Sequence, residues 1–136
     1  MVLNKSNYKR TLKVLLIDDE PEILDCLSAA LALKGFTSKQ FCDPKEAIDA
    51  YKREKFDVVI TDFKMSEMNG IDVMEAIRAH DPNARVIIIS GYAENYKAEM
   101  EESEGIYTVF QKPMELRKLL DTLYKIEEEL RDIHNH

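Results

Sequence analysis

The sequence predicts an α/β fold, a doubly wound, five-stranded parallel sheet with helices on both faces. Short apolar runs recur along the chain without polar alternation, as in strands that are buried on both faces. Amphipathic segments at helical spacing separate these runs, and the connections are short. Strands that alternate with helices in this way are parallel and joined by right-handed crossovers, so helices cover both faces of the sheet.

The first third of the chain contains two predicted strands and the helix between them. Residues 12–17 form an apolar run that stops at Asp18, where a loop is expected. A helix is predicted from Pro21, because apolar side chains then recur at helical spacing until Gly35 provides a C-terminal stop. Residues 36–41 predict the second strand.

The middle of the chain repeats the pattern. Residues 43–46 read Asp-Pro-Lys-Glu, an N-cap followed by proline at the first helical position, and predict the second helix. Residues 56–61 predict the third strand, which ends at Asp62. A loop closed by Asn-Gly at residues 69–70 leads into a third helix, which stops near the Asp-Pro pair at residues 81–82.

The last third supplies two more strands and two helices. Residues 85–89 and 106–110 are predicted as the fourth and fifth strands. The polar, acidic stretch 92–104 between them has few apolar anchors and predicts a fourth helix of weak amphipathicity. The final helix begins at about Met114.

Composition excludes several classes of protein. At 136 residues, with 45% apolar and 33% charged residues, the chain is typical of one globular domain. Its apolar runs fall far short of the ~20 residues of a membrane span, and no secretory signal is evident, so a cytoplasmic location is expected. Cys26 and Cys42 are too far apart for a C-x-x-C motif and are predicted to be free thiols. A net charge of −7 argues against direct binding to nucleic acid or membrane, which favours output through protein contact.

Polar side chains follow four of the predicted strands. Asp18 and Asp19 follow the first, Asp62 the third, Ser90 the fourth and Lys112 the fifth, so all should converge at one edge of the sheet. Three neighbouring carboxylates repel one another, and a divalent cation relieves that repulsion; hard oxygen ligands favour Mg²⁺. Lys112 and Ser90 can hold phosphoryl oxygens beside it, which makes Asp62 the candidate nucleophile.

Taken together and in this order, these motifs resemble those of the response-regulator receiver family. The resemblance spans roughly residues 12–123, and the matching segments are Leu-Leu-Ile-Asp-Asp-Glu (15–20), Asp-Val-Val-Ile-Thr-Asp (57–62), Met-Ser-Glu-Met-Asn-Gly (65–70), Ile-Ile-Ser-Gly-Tyr-Ala (88–93) and Gln-Lys-Pro (111–113). It implies the flavodoxin-like strand order 2-1-3-4-5. It also implies a receiver domain over residues 11–124, with extensions over residues 1–10 and 125–136.

The resemblance implies a metal site. Asp19, Asp62 and the backbone carbonyl of Lys64 would ligate Mg²⁺, or Mn²⁺ in its place, and Asp18 would act mainly through water. Lys64 and Tyr92 would flank the phosphoryl group, and their bulk predicts slow self-dephosphorylation.

The resemblance implies a switch in a two-component system rather than a turnover enzyme. Asp62 would accept a phosphoryl group from a histidine kinase or a histidine phosphotransfer protein. Ser90 and Lys112 would sense it, and the bond from Lys112 to Pro113 would be cis. The signal would pass to a downstream protein target or to an output domain absent from this chain.

Two positions depart from the family pattern. Ser66 stands where the family usually has proline, which should loosen that turn without touching the ligands. Val109 stands where an aromatic switch residue is common. The sequence does not determine which face of the sheet the nearby Tyr107 and Phe110 occupy. We therefore expect the readout to depend on the loop at Ser90 and the helix predicted over 92–104.

The final helix carries a heptad pattern. Leucine and isoleucine alternate spacings of three and four residues, at Leu116, Leu119, Leu123, Ile126, Leu130 and Ile133. Fewer than three heptads are present, which is short for a coiled coil. We interpret the part after Leu123 as a homodimerising helix or as a linker to an output domain.

Three other functions compete with this interpretation. A flavin mononucleotide binder of the same sheet order needs a Ser/Thr/Gly-rich phosphate loop after the first strand, where this chain has acids. A Mg²⁺-dependent phosphohydrolase with an aspartyl intermediate usually carries D-x-D at that place, and this chain has no such motif there. A degenerate receiver that acts only as an interaction module remains the alternative, although the intact acids and Lys112 argue against it.

Overall fold

The computed structural model describes residues 12–91 and 104–135, in which strands and helices alternate. The elements are β1 (Lys13–Ile17), α1 (Pro21–Leu33), β2 (Thr37–Phe41), α2 (Pro44–Arg53), β3 (Val58–Asp62), α3 (Gly70–His80), β4 (Val86–Ser90), β5 (Ile106–Gln111) and α4 (Leu116–Asn135). Each agrees with a predicted element to within about two residues. The helix predicted over 92–104 lies outside the described residues apart from its last position.

The five strands form one sheet in the order β2-β1-β3-β4-β5, and every pair is parallel. This is the predicted fold class and strand order. Strand order reverses at β1, so β1 and β3 are neighbours although α1, β2 and α2 separate them in sequence. Sites in such sheets lie outside the carboxyl ends of the strands near this reversal.

Two apolar layers cover the sheet. On the α2–α3 face, strand residues such as Val59 and Ile88 pack with Ile71 and Ile77 of α3. On the opposite α1–α4 face, strand residues such as Leu16 and Ile60 pack with side chains of α1 and α4. Since β1, β3 and β4 are buried on both faces, their sequences are continuous apolar runs rather than alternating ones. Within the described ranges, no helix is long and apolar enough to cross a membrane.

A β-bulge in β5 sets the facing of its aromatic residues. Ile106 pairs with Val86 and Thr108 with Ile87, which leaves Tyr107 as the extra residue. The Tyr107 ring packs on the α1–α4 face. Its hydroxyl donates to the Glu129 carboxylate of α4, with 2.8 Å to Oε2, so the bulge links the sheet to the last helix.

Val109 therefore has no aromatic neighbour from β5 on its own face. Val109 packs against the α2–α3 face, whereas Phe110 and Tyr107 both pack on the α1–α4 face. Neither ring can replace an aromatic switch residue at position 109, which answers the question that the sequence left open.

The second half of α4 belongs partly to the core. Ile126 is fully buried, and Leu130 packs against the α1–α4 face, whereas Ile133 is 63% exposed. The heptad pattern after Leu123 thus serves the domain itself at two of its three positions. The predicted domain boundary at residue 124 stays a prediction, and the last helix continues beyond it to Asn135.

Candidate functional site

Three charged side chains meet at the carboxyl edge of the sheet. Asp18 follows β1, Asp62 ends β3 and Lys112 follows β5. The Lys112 ammonium lies 3.3 Å from Asp62 Oδ1 and 3.5 Å from Asp18 Oδ2. One carboxylate oxygen from each of Asp18, Asp19 and Asp62 lies within 4.8 Å of the other two. The convergence that the sequence predicts is therefore present.

Asp18 and Asp19 differ in their surroundings. The Asp18 side chain is buried, and its Oδ1 accepts the backbone N–H of Glu20 at 2.9 Å. Its own backbone N–H donates to the carbonyl of Phe41 in β2, which fixes the end of β1. Asp19 is exposed to solvent. Asp18 thus presents a buried, hydrogen-bonded carboxylate, whereas Asp19 presents a solvent-exposed one.

Asp62 is held in a half-buried position. Its Oδ1 accepts the backbone N–H of Phe63 at 2.9 Å. Burial raises the pKa of Asp62, and the negative charge of Asp18 raises it further, while Lys112 and the Phe63 N–H oppose the rise. The surroundings of Asp62 therefore penalise its charge, and Lys112 and the Phe63 N–H offset part of that penalty.

Lys112 remains charged in this setting. Burial alone lowers the pKa of Lys112, but the charges and hydrogen bonds of Asp62 and Asp18 raise it more, so the net direction is upward. The bond from Lys112 to Pro113 is cis, as predicted. The site thus combines three acids with one fixed ammonium group.

The donor set of this cluster fits Mg²⁺. Three carboxylates supply hard oxygen ligands at one point, and few protein ligands suit an ion that keeps part of its water shell. One ammonium group in contact cannot balance three carboxylate charges, so an added cation would lower the repulsion that raises the pKa of Asp62.

A cleft of about 450 Å³ opens on these groups. Its walls include Asp19, Asp62 and Lys112, together with the loop residues Lys64 and Ser66. Lys64 pairs with Asn69 as an isolated bridge, which closes the β3–α3 loop. The cleft is large enough for a phosphoryl group, a metal ion and the water molecules bound to that ion.

Ser90 lies at the same edge, at the end of β4. The residue is fully buried, and its carbonyl accepts the Lys112 backbone N–H at 2.8 Å. This bond ties the ends of β4 and β5 together next to Asp62, which pairs with Ile89. Tyr92, the second predicted modulating residue, lies outside the described residues.

Two residues of the site were not predicted from sequence. Thr61 is fully buried and bonds to the carbonyl of Asp62, and Gly70 packs directly against that carbonyl. The available signal was a hydroxyl at the end of an otherwise apolar strand, where a buried polar group needs a partner.

Comparison with known proteins identifies the family. The profile described as "Response regulator receiver domain" matches residues 14–124, which is most of the chain. The chain belongs to the response regulator receiver family. Sporulation initiation phosphotransferase F of Bacillus subtilis is 29% identical to this receiver domain over 113 residues, covering 83% of this chain and 91% of that protein.

Other relatives and solved structures agree. The regulatory protein AtoC of Escherichia coli is 30% identical over 128 residues, but this chain spans only 28% of its length. The crystal structure of a CheY-like receiver domain protein from Methanospirillum hungatei JF-1 superposes with a TM-score of 0.82 at 23% identity, covering 89% of this chain and 97% of that one. The receiver fold is thus shared with short relatives and with segments of much longer regulators.

Proposed function

We propose that this receiver domain accepts a phosphoryl group on Asp62 in a Mg²⁺-dependent reaction and thereby switches its protein contacts. The observation that carries the proposal is the position of Lys112, whose ammonium contacts Asp62 and Asp18 at 3.3 and 3.5 Å. A structural ion pair needs one acid, whereas three acids and one lysine around an open cleft suit a phosphoryl group that arrives with a divalent metal ion.

In the proposed reaction, an Asp62 carboxylate oxygen attacks the phosphorus atom of a phosphohistidine. A new O–P bond forms as the N–P bond breaks, and the imidazole nitrogen leaves with the electron pair. Lys112 balances charge on the transferred oxygens, and the Ser90 hydroxyl is assigned a hydrogen bond to one of them. Asp19, Asp62 and the Lys64 carbonyl would hold Mg²⁺ or Mn²⁺, with Asp18 acting through water; the ion would supply positive charge during transfer.

The donor is proposed to be a histidine kinase or a histidine phosphotransfer protein that docks beside α1. An apolar cleft of about 510 Å³ lies between α1 and the start of α4, and its lining includes Ile23, Leu27 and Met114. The same cleft reaches Asp62 and Lys112. A protein that delivers a phosphoryl group to Asp62 can therefore bury apolar surface in this cleft while its histidine reaches the acceptor.

Output is proposed to occur by protein contact in the cytoplasm, with a downstream protein or an output domain elsewhere. A homodimer through α4 would use its exposed side near Ile133, because Ile126 is buried in the domain.

Lys64, which lines the site cleft, and Tyr92 are proposed to shield the phosphoryl group from water.

The test is incubation with acetyl phosphate and Mg²⁺, followed by intact-protein mass spectrometry. One phosphoryl mass should appear on the wild type and should be absent without metal and in Asp62→Asn. Asp49→Asn, which alters an exposed carboxylate on α2, is the matched control and should be modified like the wild type. Modification of Asp62→Asn to the wild-type level would refute the assignment.

A further inference from the structure

Thr61 is a buried hydroxyl next to the proposed acceptor. It is fully buried in β3 and pairs with Ile17 of β1 and Ile88 of β4, both members of the apolar α2–α3 face. A hydroxyl in such surroundings needs a hydrogen-bond partner. Thr61 Oγ1 donates to the backbone carbonyl of Asp62 at 2.9 Å.

The carbonyl that Thr61 holds belongs to the peptide that orients the Asp62 carboxylate. The N–H of the same peptide, from Phe63, donates to Asp62 Oδ1 at 2.9 Å and to the carbonyl of Ile89 in β4 at 3.1 Å. Asp62 Oδ1 is also the oxygen that Lys112 contacts. A rotation of this peptide plane would therefore move the N–H away from Oδ1 and change the direction of the carboxylate.

Gly70 also limits the movement of this carbonyl. A Cβ atom at Gly70 would lie 2.9 Å from the carbonyl oxygen of Asp62 and 3.2 Å from Phe63 Cα, so only glycine allows α3 to approach this closely. Three groups thus restrain the peptide between Asp62 and Phe63. They are the Thr61 hydroxyl, the Cα of Gly70 and the carbonyl of Ile89 in β4.

We propose that Thr61 is a positioning residue for phosphoryl transfer to Asp62. Its hydroxyl fixes the peptide whose N–H directs Asp62 Oδ1 toward Lys112, so that the carboxylate is already aligned when the phosphorus atom arrives. This inference rests on the proposed function of Asp62. Transfer rates depend steeply on such alignment, since a reactant displaced by about 1 Å can lose on the order of 100-fold in rate.

The experiment compares Thr61→Val with the wild type, because valine keeps the shape of threonine and removes the hydroxyl. With acetyl phosphate and Mg²⁺, the carboxylate forms an O–P bond while the P–O bond to acetate breaks and acetate leaves. We expect Thr61→Val to lower the maximal rate constant about 3- to 10-fold, the size of one lost orienting hydrogen bond. The concentration of acetyl phosphate at half-maximal rate should stay unchanged.

Rescue separates the hydroxyl from packing. Thr61→Ser should recover to within about 2-fold of the wild type, whereas Thr61→Ala should remain slow, and these two variants differ by the hydroxyl alone. Thr108→Val in β5 is the matched control, because Thr108 pairs with Ile87 away from the acceptor. Its rate should equal that of the wild type.

The outcomes distinguish this inference from the proposed function. If the wild type gains no phosphoryl group on Asp62, the proposed function fails and the inference fails with it. If the wild type is phosphorylated and Thr61→Val reacts at the same rate, only the positioning role is overturned. Equal rates for Thr61→Ser and Thr61→Ala would likewise overturn it.

Discussion

The charge state of Asp62 depends on a small number of neighbours. Burial and the adjacent Asp18 raise its pKa, and the protonated Lys112 together with the Phe63 N–H limits that rise. Lys112 is the only cationic side chain that contacts both acids in the described part of the chain. Its removal should therefore affect both the resting charge of the site and the transfer reaction.

For Lys112→Gln we predict a further increase in the pKa of Asp62 and a fall of at least about 10-fold in the phosphorylation rate. The reason is the loss of the ammonium group that stabilises the carboxylate and the transferred oxygens. A carboxyl-carbon NMR titration measures the pKa, and the acetyl phosphate assay measures the rate. Lys118→Gln, on an exposed part of α4, is the control. A lower or unchanged pKa for Asp62 in Lys112→Gln would contradict the prediction.

At the scale of elements, the predictable and unpredictable features have different physical origins. Strands β1, β3 and β4 were predictable because burial on both faces requires apolar runs. The bulge at Tyr107 was not, because a one-residue offset depends on pairing between β4 and β5 and leaves no local mark in the sequence. For the same reason the facing of Phe110 could not be read from alternation.

The heptad positions of α4 show a similar limit. Sequence spacing identifies the apolar stripe, but it does not say whether the partner surface belongs to the same domain or to another molecule. Burial decides this: Ile126 is fully buried within the domain and Ile133 is 63% exposed.

The two positions should differ in their effect on stability. We predict that Ile126→Ala lowers the free energy of unfolding by about 2–5 kcal/mol, because it leaves a cavity in the α1–α4 face. Ile133→Ala should change it by less than about 0.5 kcal/mol in the monomer. Urea denaturation at a protein concentration well below any dimerisation measures both. If Ile126→Ala changed the free energy of unfolding as little as Ile133→Ala, the folded domain would end before Ile126.

At the scale of the whole molecule, the site was predictable because topology assembles it. Asp18, Asp62 and Lys112 are far apart in sequence, yet parallel strands bring all their carboxyl ends to one edge, so a strand assignment is enough to place them together. Thr61 and Gly70 could not be assigned in this way, because their roles depend on hydrogen bonds and close contacts of about 3 Å that a strand pattern does not specify.

The cluster of Asp18, Asp19 and Asp62 lowers the stability of the folded protein by an amount that depends on pH and on metal. A carboxyl group whose pKa is higher in the folded protein than in the unfolded chain binds more protons when folded. Stability therefore falls as pH rises from the unfolded value, 3.8 for Asp62, through the higher folded value. Above the folded pKa the full penalty of the Asp62 charge is present, and below both pKa values it disappears.

We therefore predict that Asp62→Asn has a higher melting temperature than the wild type at pH 7 without metal, because the amide keeps the shape of the side chain and removes the penalised charge. The difference should shrink as the pH is lowered toward 3.8 and below. Mg²⁺ should raise the melting temperature of the wild type more than that of Asp62→Asn. An ion that binds only the folded state stabilises that state by mass action, and the variant lacks one of the charged ligands for the ion. Thermal unfolding followed by circular dichroism, with Asp49→Asn as the control, measures both effects. A lower melting temperature for metal-free Asp62→Asn at pH 7 would show that the contact with Lys112 outweighs the repulsion among the three acids, and that the acid cluster does not need a cation to be stable.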